Sequence, residues 1–286
     1  MKPGDPSTRP ASIRRWSRGS WEGPVEDSLA AEEPLEIRVD TRSVSVTLRT
    51  PGHDDELAAG FLVGEGLLRS PADLRGIRPH PRNPSGNVVD VFLADSVTFD
   101  FNSLTRHVFA SSSCGLCGRA SIDALRRRFP QATLEFQMDP GVLLGLPGRL
   151  REAQAGFSAS GGLHAAALFG PDGRLWVARE DVGRHNAVDK VVGRRFLDGG
   201  FPLGPSVLMV SGRVSFEIVQ KALAAGIAMV AAVSAPSSLA VEFATESGQT
   251  LVGFLREGRF NVYAGARRIM GARVGPGTDP EPGIVQ

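Results

Sequence analysis

Apolar and polar residues alternate with period two between residues 35 and 50: Ile37 and Val39, then Val44, Val46 and Leu48. That period predicts a half-buried hairpin turning around Asp40 to Ser43. Thr50-Pro-Gly-His53 breaks the strand. Asp54 then stands where a cap is wanted for a helix reaching about Leu68, with Leu57, Phe61, Leu67 and Leu68 on its apolar face. Gly60, Gly64 and Gly66 thin one side of this helix, which predicts close packing against backbone. Residues 87–93 read as another strand. Beyond Asp139-Pro140, Leu143, Leu146 and Leu150 recur at helical spacing, with a break expected at 145–147. A hairpin follows, built from 165–169, the turn Gly-Pro-Asp-Gly and 175–178.

From there strands and helices alternate: helix 184–196, strand 206–210, helix 215–225, strand 227–233, helix 237–245, then strands 250–255 and 260–263. Short links between such elements predict parallel strands with helices on their faces. The expected fold class is α/β, a core of mainly parallel strands covered by helices, preceded by a smaller β/α subdomain. The expected division is a loose tail over 1–34, the N-terminal subdomain over 35–105, the core over 106–275 and a flexible tail over 276–286. Arg9, Arg14, Arg15 and Arg18 accumulate in the first of these and read as a solvated arm.

Composition narrows the function classes. The 32 basic and 31 acidic residues leave a formal net charge of +1, which gives no general argument for a nucleic-acid partner. The longest run of small apolar residues, 222–235, is too short to span a bilayer, so no membrane partner is expected. The first 20 residues are polar and carry arginine and proline, unlike a secretory leader. Two cysteines in Cys-x-x-Cys spacing do not make an extracellular disulfide framework. A cytoplasmic, reducing setting is expected.

Those two cysteines are Cys114 and Cys117, in Ser-Ser-Ser-Cys-Gly-Leu-Cys-Gly. The loop is polar, and Ile122, Leu125 and Phe129 follow at helical spacing, so the sulfurs fall at or near a helix start. The positive end of a helix and the nearby Arg119 both favour thiolate, the form that attacks sulfur or binds metal. Four readings stand at this point: a sulfur-carrying or disulfide-exchanging site, a structural zinc site, a deaminase-type zinc site and an inert pair. No two of the five histidines are three to five residues apart, and no His-x-Glu precedes the cysteines.

Three further segments carry candidate chemistry. Glu180-Asp-Val-Gly-Arg-His-Asn-Ala-Val-Asp-Lys190 is dense in polar residues where a strand gives way to a helix, the side of an open sheet where ligands bind. Asp181 is placed to cap that helix, and His185 and Asp189 are four apart and expected to fix one another. Arg184 and His185 are candidate ligand contacts. Ser211-Gly-Arg213 and Ser234-Ala-Pro-Ser237 each join a strand to a helix, an arrangement suited to phosphate and equally to ordinary capping. Phe260-Asn261-Val262-Tyr263-Ala264-Gly265 holds the single tyrosine, which could stack on a base or pterin ring.

In order, these motifs resemble the formate dehydrogenase accessory sulfurtransferase family (FdhD), and Thr50-Pro-Gly-His-Asp54 and Gly64-Glu-Gly66 extend the likeness over about 35–270. The resemblance implies a core similar to the cytidine deaminase fold and a tendency to dimerise. It implies a sulfurtransferase that accepts sulfur from a cysteine desulfurase as a persulfide. The sulfur passes to the molybdenum of bis-molybdopterin guanine dinucleotide, a bound substrate needed by the formate dehydrogenase catalytic subunit. No resident metal is implied. Cys114 matches the persulfide-carrying cysteine, with Cys117 as its partner, and Phe260 to Gly265 match the cofactor-contacting segment, with Ser211, Arg213, Arg184 and His185 expected around its phosphates. The alternative is a chaperone that binds and delivers the molybdenum cofactor without carrying sulfur.

Overall fold

Three β-sheets and six α-helices make up the described part of the computed structural model, residues 6–83, 85–98, 129–132 and 136–272. The chain enters as an antiparallel hairpin of β1 (Thr8–Ser17) and β2 (Ser20–Ala30). This corrects the loose arm expected over 1–34. Its apolar residues are too sparse, and too often interrupted by arginine and proline, to show a period. They meet only across the ladder, Ile13 opposite Val25 and Trp16 opposite Trp21.

β3 (Glu33–Val39) and β4 (Arg42–Arg49) are the hairpin that alternation predicts. With β5 (Leu74–Pro79) and β6 (Val88–Leu93) they form a sheet in the order β4-β3-β6-β5. β5 went unpredicted: Leu-Arg-Gly-Ile-Arg-Pro has two large apolar residues, and as an edge strand it can accept its proline. The inner face of the sheet, including Leu35, Ile37, Val89 and Val91, packs on α1 (Asp54–Gly64). The helix is capped by the backbone of left-handed His53 (φ 59°) without a side-chain hydrogen bond. Asp54, expected as the cap, instead accepts two hydrogen bonds from Arg49 at 2.8 and 2.9 Å.

Next come α2 (Pro140–Glu152) and α3 (Ala155–Ser160). α2 runs through Pro147 without the expected break. Asp139 caps it through Gly141 and Val142, and burial of Leu143, Leu146 and Leu150 outweighs the one backbone bond that proline removes.

The second sheet contains β7 (His164–Phe169), β8 (Leu175–Asp181), β9 (Val207–Val210), β10 (Met229–Ala232), β11 (Thr250–Arg256) and β12 (Arg259–Ala264). Their order is β12-β11-β10-β9-β7-β8. The only parallel neighbours in this sheet are β9–β10 and β10–β11; β7 is antiparallel to both β8 and β9, and β12 to β11. The sheet is therefore mixed rather than mainly parallel. Its two tight hairpins, β7–β8 and β11–β12, must run antiparallel, and the helical crossovers of the middle strands produce the parallel part. Those crossovers are α4 (Arg184–Leu197), α5 (Phe216–Ala224) and α6 (Ser238–Glu246).

Alternate strand residues feed two cores. Leu208, Val210, Val230 and Ala232 face the layer of α4, α5 and α6, while Val207, Met209, Met229 and Ala231 face α2. α1 lies between the four-stranded sheet and α4, so one core spans both sheets. Close approach of α1 and α4 depends on glycine on both: a Cβ at Gly60 would lie 1.8 Å from the Asp189 carbonyl oxygen, and one at Gly193 would lie 1.8 Å from that of Glu56. No helix among the described residues is long and apolar enough to cross a membrane.

Candidate functional site

Sheet directions bring the sequence candidates to one edge. β8, β9 and β10 end there, and antiparallel β7 begins there with His164. Ser211, just past β9, exchanges two hydrogen bonds with Ala165 at the start of β7, donating from its N–H and accepting on Oγ, each 2.9 Å. Ser211 thus fixes the loop to the sheet instead of capping a helix. A Cβ on Gly212 would lie 3.3 Å from His164 Nδ1 and 3.9 Å from Arg184 Cδ, so His164, Gly212 and Arg184 are in contact. The next loop is joined to this one: Val214 N–H donates to Ala235 O, and Ser237 N–H donates to Val214 O. Ser237 caps α6 by accepting from Ala240 N–H, the capping alternative of the two readings of this loop.

Charge at this edge is unevenly compensated. Arg184 Nε is buried and has no hydrogen-bond partner among the described residues. Arg213 is exposed and has no ion pair among them. Burial, and then the Arg184 charge, hold His164 below the ordinary histidine range. A buried guanidinium nitrogen with no partner among the described residues, and the exposed Arg213, beside the backbone of a glycine loop suit an anionic group such as a phosphate.

The Glu180–Lys190 block divides into two parts with different work. One is a buried tether. Asp181 is fully buried and pairs with Lys190 Nζ at 2.7 Å. It accepts further hydrogen bonds from the Thr50 and Gly183 N–H groups and from Asn186 Nδ2. Lys190 also donates to Thr50 O at 2.8 Å, and Asn186 donates to Leu48 O at 2.8 Å. The cap expected of Asp181 is thus one bond, to Gly183, within a network that ties the end of β4 to the start of α4. The other part faces α5. His185 and Asp189 do not pair with each other. His185 Nε2 lies 2.9 Å from Ser215 Oγ and 3.3 Å from Glu217 Oε2, while Asp189 takes both oxygens to Lys221 at 2.7 and 2.9 Å. These partners are 30 or more residues away and on another helix, so no local spacing signals them.

Burial sets the protonation of this second part. Burial, then the charges of Lys221, Arg184 and His164, bring His185 down to about 4, leaving it neutral at pH 7. Burial pushes Asp189 up to about 6, so it is still ionised at pH 7. Burial opposes the charge on Lys221, but Asp189, Glu65 and Glu217 outweigh it and raise its pKa. The two shifted groups act oppositely on stability. His185, lowered from 6.5, contributes fully above pH 6.5 and loses that contribution as pH falls toward 4; Asp189, raised from 3.8, contributes below 3.8 and loses it as pH rises through 6. Replacing His185 with glutamine should therefore flatten the acid limb. Urea midpoints at pH 7 and pH 4 should show wild type losing on the order of 1–2 kcal/mol more than His185→Gln, after discounting for partial exposure. Equal losses would show that His185 is not held neutral.

The segment Phe260 to Gly265 does not act as one surface. Tyr263 lies over Gly253, whose Cβ would be 2.9 Å from both the ring and Pro236 Cδ, and Asn261 Nδ2 is 3.3 Å from the tyrosine hydroxyl. These two lie near the Ser234–Ser237 loop. Phe260 and Val262 pack on the opposite face, toward α2. Ala264 is buried, and Gly265 holds a left-handed turn (φ 62°) where a Cβ would be 2.6 Å from Gln249 O. The structure thus brings together Arg184, Ser211 and Arg213, joins His185 to them through α5, and places Tyr263 and Asn261 one loop away. Cys114 and Cys117 lie outside the described residues.

Comparison with known proteins follows from this geometry. A family model described as the FdhD/NarQ family matches residues 30–270. A protein of Streptomyces coelicolor named sulfur carrier protein FdhD is 54% identical over 260 residues, covering 88% of this chain and 92% of that one. Its namesake from Mycobacterium tuberculosis is 50% identical over 253 residues, covering 85% and 92%. A solved structure from Desulfotalea psychrophila, described as that of a formate dehydrogenase accessory protein, superposes with a TM-score of 0.74 at 24% identity. It covers 93% of this chain and 100% of that one, and supports the fold.

Proposed function

This chain belongs to the FdhD/NarQ family, and from that premise we propose that it carries sulfur for the maturation of formate dehydrogenase. The observation that carries the reading is 54% identity, over most of both chains, to a protein named as a sulfur carrier. The Cys-x-x-Cys loop supplies the chemistry. Cys114 thiolate attacks the outer sulfur of a cysteine desulfurase persulfide. The desulfurase thiolate leaves, and the sulfane sulfur now sits on Cys114. Cys117 then attacks the inner sulfur, a Cys114–Cys117 disulfide forms, and sulfide departs to the molybdenum of bis-molybdopterin guanine dinucleotide.

That cargo is large and anionic, and the sheet edge fits such a group: among the described residues Arg184 Nε is buried without a hydrogen-bond partner, and the exposed Arg213 beside Gly212 has no ion pair. Tyr263 and Asn261 would hold the ring end, and neutral His185 would bound the phosphate side. The mixed six-stranded sheet is the part we read as a cytidine-deaminase-like core, working in the cytoplasm. In the chaperone alternative the same edge would hold the cofactor while the cysteines carried nothing.

The test is a loading experiment. The purified chain is incubated with a cysteine desulfurase and cysteine, and its peptides are then mapped by mass. The expected result is one added sulfur on the peptide containing Cys114 and Cys117, removed by a reductant. An unmodified peptide under conditions in which the desulfurase turns over would overturn the sulfur-carrier reading.

A further inference from the structure

A sulfur carrier has to recognise both its cargo's destination and its donor, and the sheet edge is suited to only one of them. Arg184, Arg213 and the Tyr263 ring fit an anionic group with a ring attached. A donor protein presents a single cysteine persulfide, which offers those residues neither phosphate nor ring. Recognition of the donor then falls to protein surface elsewhere, rooted near enough to the edge for sulfur to cross.

The β1–β2 hairpin is rooted there. Ala31 N–H donates to Ser7 O at 2.8 Å, and a Cβ on Gly156 of α3 would lie 3.4 Å from Ser7 Oγ. A Cβ on Gly162 would lie 2.9 Å from Ala30 Cβ, and Gly162 is two residues before His164 at the start of β7. Beyond this base the two strands pair only with one another among the described residues. The ladder shifts between Ile13 and Arg15, a bulge that bends the ribbon and re-aims its last pairs. Strands of this length reach roughly 30 Å from the base, the scale of a protein partner seated over the edge.

Packing within the chain does not account for the tip. Trp16 and Trp21 meet edge to face at 5.4 Å but remain 58% and 66% exposed. Arg14, Arg15 and Arg18 are exposed too, and none has an ion pair among the described residues. The turn holds Arg18 in the left-handed region (φ 50°) beside Gly19 (φ 86°), where asparagine or glycine would carry less strain. Tryptophan and arginine are the residues that dominate protein–protein contacts, whereas lysine is depleted there and is absent from 8–33.

The distribution of charge selects the partner. Over residues 8–33 four arginines stand against five acids. Three of those arginines are at the tip against Glu22 alone, and Glu26, Asp27 and Glu32 lie toward the base. A long polyanion laid along the ribbon would meet more acid than base. A compact acidic patch on a folded protein meets the basic tip only. Attraction of that kind speeds encounter without demanding a large interface, which suits a donor that docks, gives up its sulfur and leaves.

We propose that the tip of the β1–β2 hairpin is a docking arm for the sulfur donor, gripping an acidic patch on the desulfurase with Trp16, Trp21 and the three arginines. The inference rests on the sulfur-carrier reading and adds to it the surface that the donor recognises. Five side chains at the end of a ribbon cover less than a standard interface, so the complex is transient.

Loading kinetics on the full-length protein test this. Initial rates of persulfide formation by a purified cysteine desulfurase with cysteine are measured against carrier concentration. Wild type is compared with two variants, one with Trp16→Ser and Trp21→Ser, the other with Arg14→Glu, Arg15→Glu and Arg18→Glu. Each variant should raise the KM for the carrier by about tenfold or more with kcat little changed, the effect of losing a hot spot. Added salt should raise the wild-type KM and lower that of the arginine variant, whose tip then repels the donor. Glutathione persulfide, a donor with no protein surface, should load all three proteins at one rate. Equal slowing with that small donor would overturn the proposal, because the defect would then lie in the fold and not in docking. A wild type that the desulfurase fails to load overturns the sulfur-carrier reading and the arm with it. A loaded wild type whose KM the variants share overturns the arm alone. Pelleting of wild type, but not of the variants, with phosphatidylglycerol vesicles would in that case assign the tip to a membrane.

Discussion

Lys190→Met is expected to destabilise the chain by about 3–5 kcal/mol, the cost of stranding one member of a buried ion pair. Lys190 is 1% exposed, and its ammonium bridges Asp181 and the Thr50 carbonyl. Methionine fills a similar volume but leaves a fully buried carboxylate with hydrogen-bond donors and no counter-charge. A natural domain has about 5–15 kcal/mol to lose, so the variant should sit near the edge of folding. The double substitution Lys190→Met with Asp181→Asn removes the stranded charge, and it should cost clearly less than the two single changes added together. Urea midpoints for the four proteins give the coupling energy. A coupling near zero would mean that the pair does not bind the end of β4 to the start of α4. That attachment matters to function because Arg184 and His185 are the first two residues of α4, and their placement depends on where the helix begins.

The same block marks the boundary of what the sequence reveals. Local period and turn chemistry were enough for β3–β4, for β7–β8, and for the strand and helix alternation from Arg184 to Ala264. Each of those rests on residues a few positions apart. Strand direction was less accessible: a helix between two strands signals a crossover, but β7 reaches β9 only by antiparallel pairing across the sheet, which no neighbouring residue encodes. The hairpin of β1 and β2 was hidden for a related reason, since its apolar pairs are opposite across a ladder and not periodic along either strand. At the candidate site, residue types singled out Arg184, Ser211 and Arg213, which the fold places at one sheet edge. The roles of His185 and Asp189 were misassigned because helical spacing suggested a pair, while packing of α4 against α5 supplied closer partners in Ser215 and Lys221. Long-range polar pairs of this kind are set by tertiary packing, and sequence separation carries no trace of them.

Helix packing also reverses the usual consequence of replacing glycine. In a helix interior Gly→Ala normally stabilises by up to about 1 kcal/mol, because alanine has less backbone freedom to lose. At Gly145 on α2 nothing among the described residues lies within 4 Å of the added carbon, so Gly145→Ala should follow that rule and raise the unfolding midpoint. At Gly193 on α4 the same carbon would lie 1.8 Å from Glu56 O and 2.7 Å from Gly60 N. Both obstacles are backbone, so no side-chain rotation can make room. The helices must separate by more than an ångström, which opens the core that α1 shares with both sheets. Overpacking of a core costs about 1–3 kcal/mol even where side chains can yield. Gly193→Ala is therefore expected to lose at least the upper part of that range despite its better helix propensity, and Gly60→Ala to behave likewise, its carbon meeting Asp189 O at 1.8 Å. Thermal or urea unfolding of Gly145→Ala and Gly193→Ala in parallel checks the claim, since one substitution in two helices should move stability in opposite directions. If Gly193→Ala proved neutral or stabilising, α1 and α4 could not be in backbone contact, and the shared core described here would be wrong at its centre.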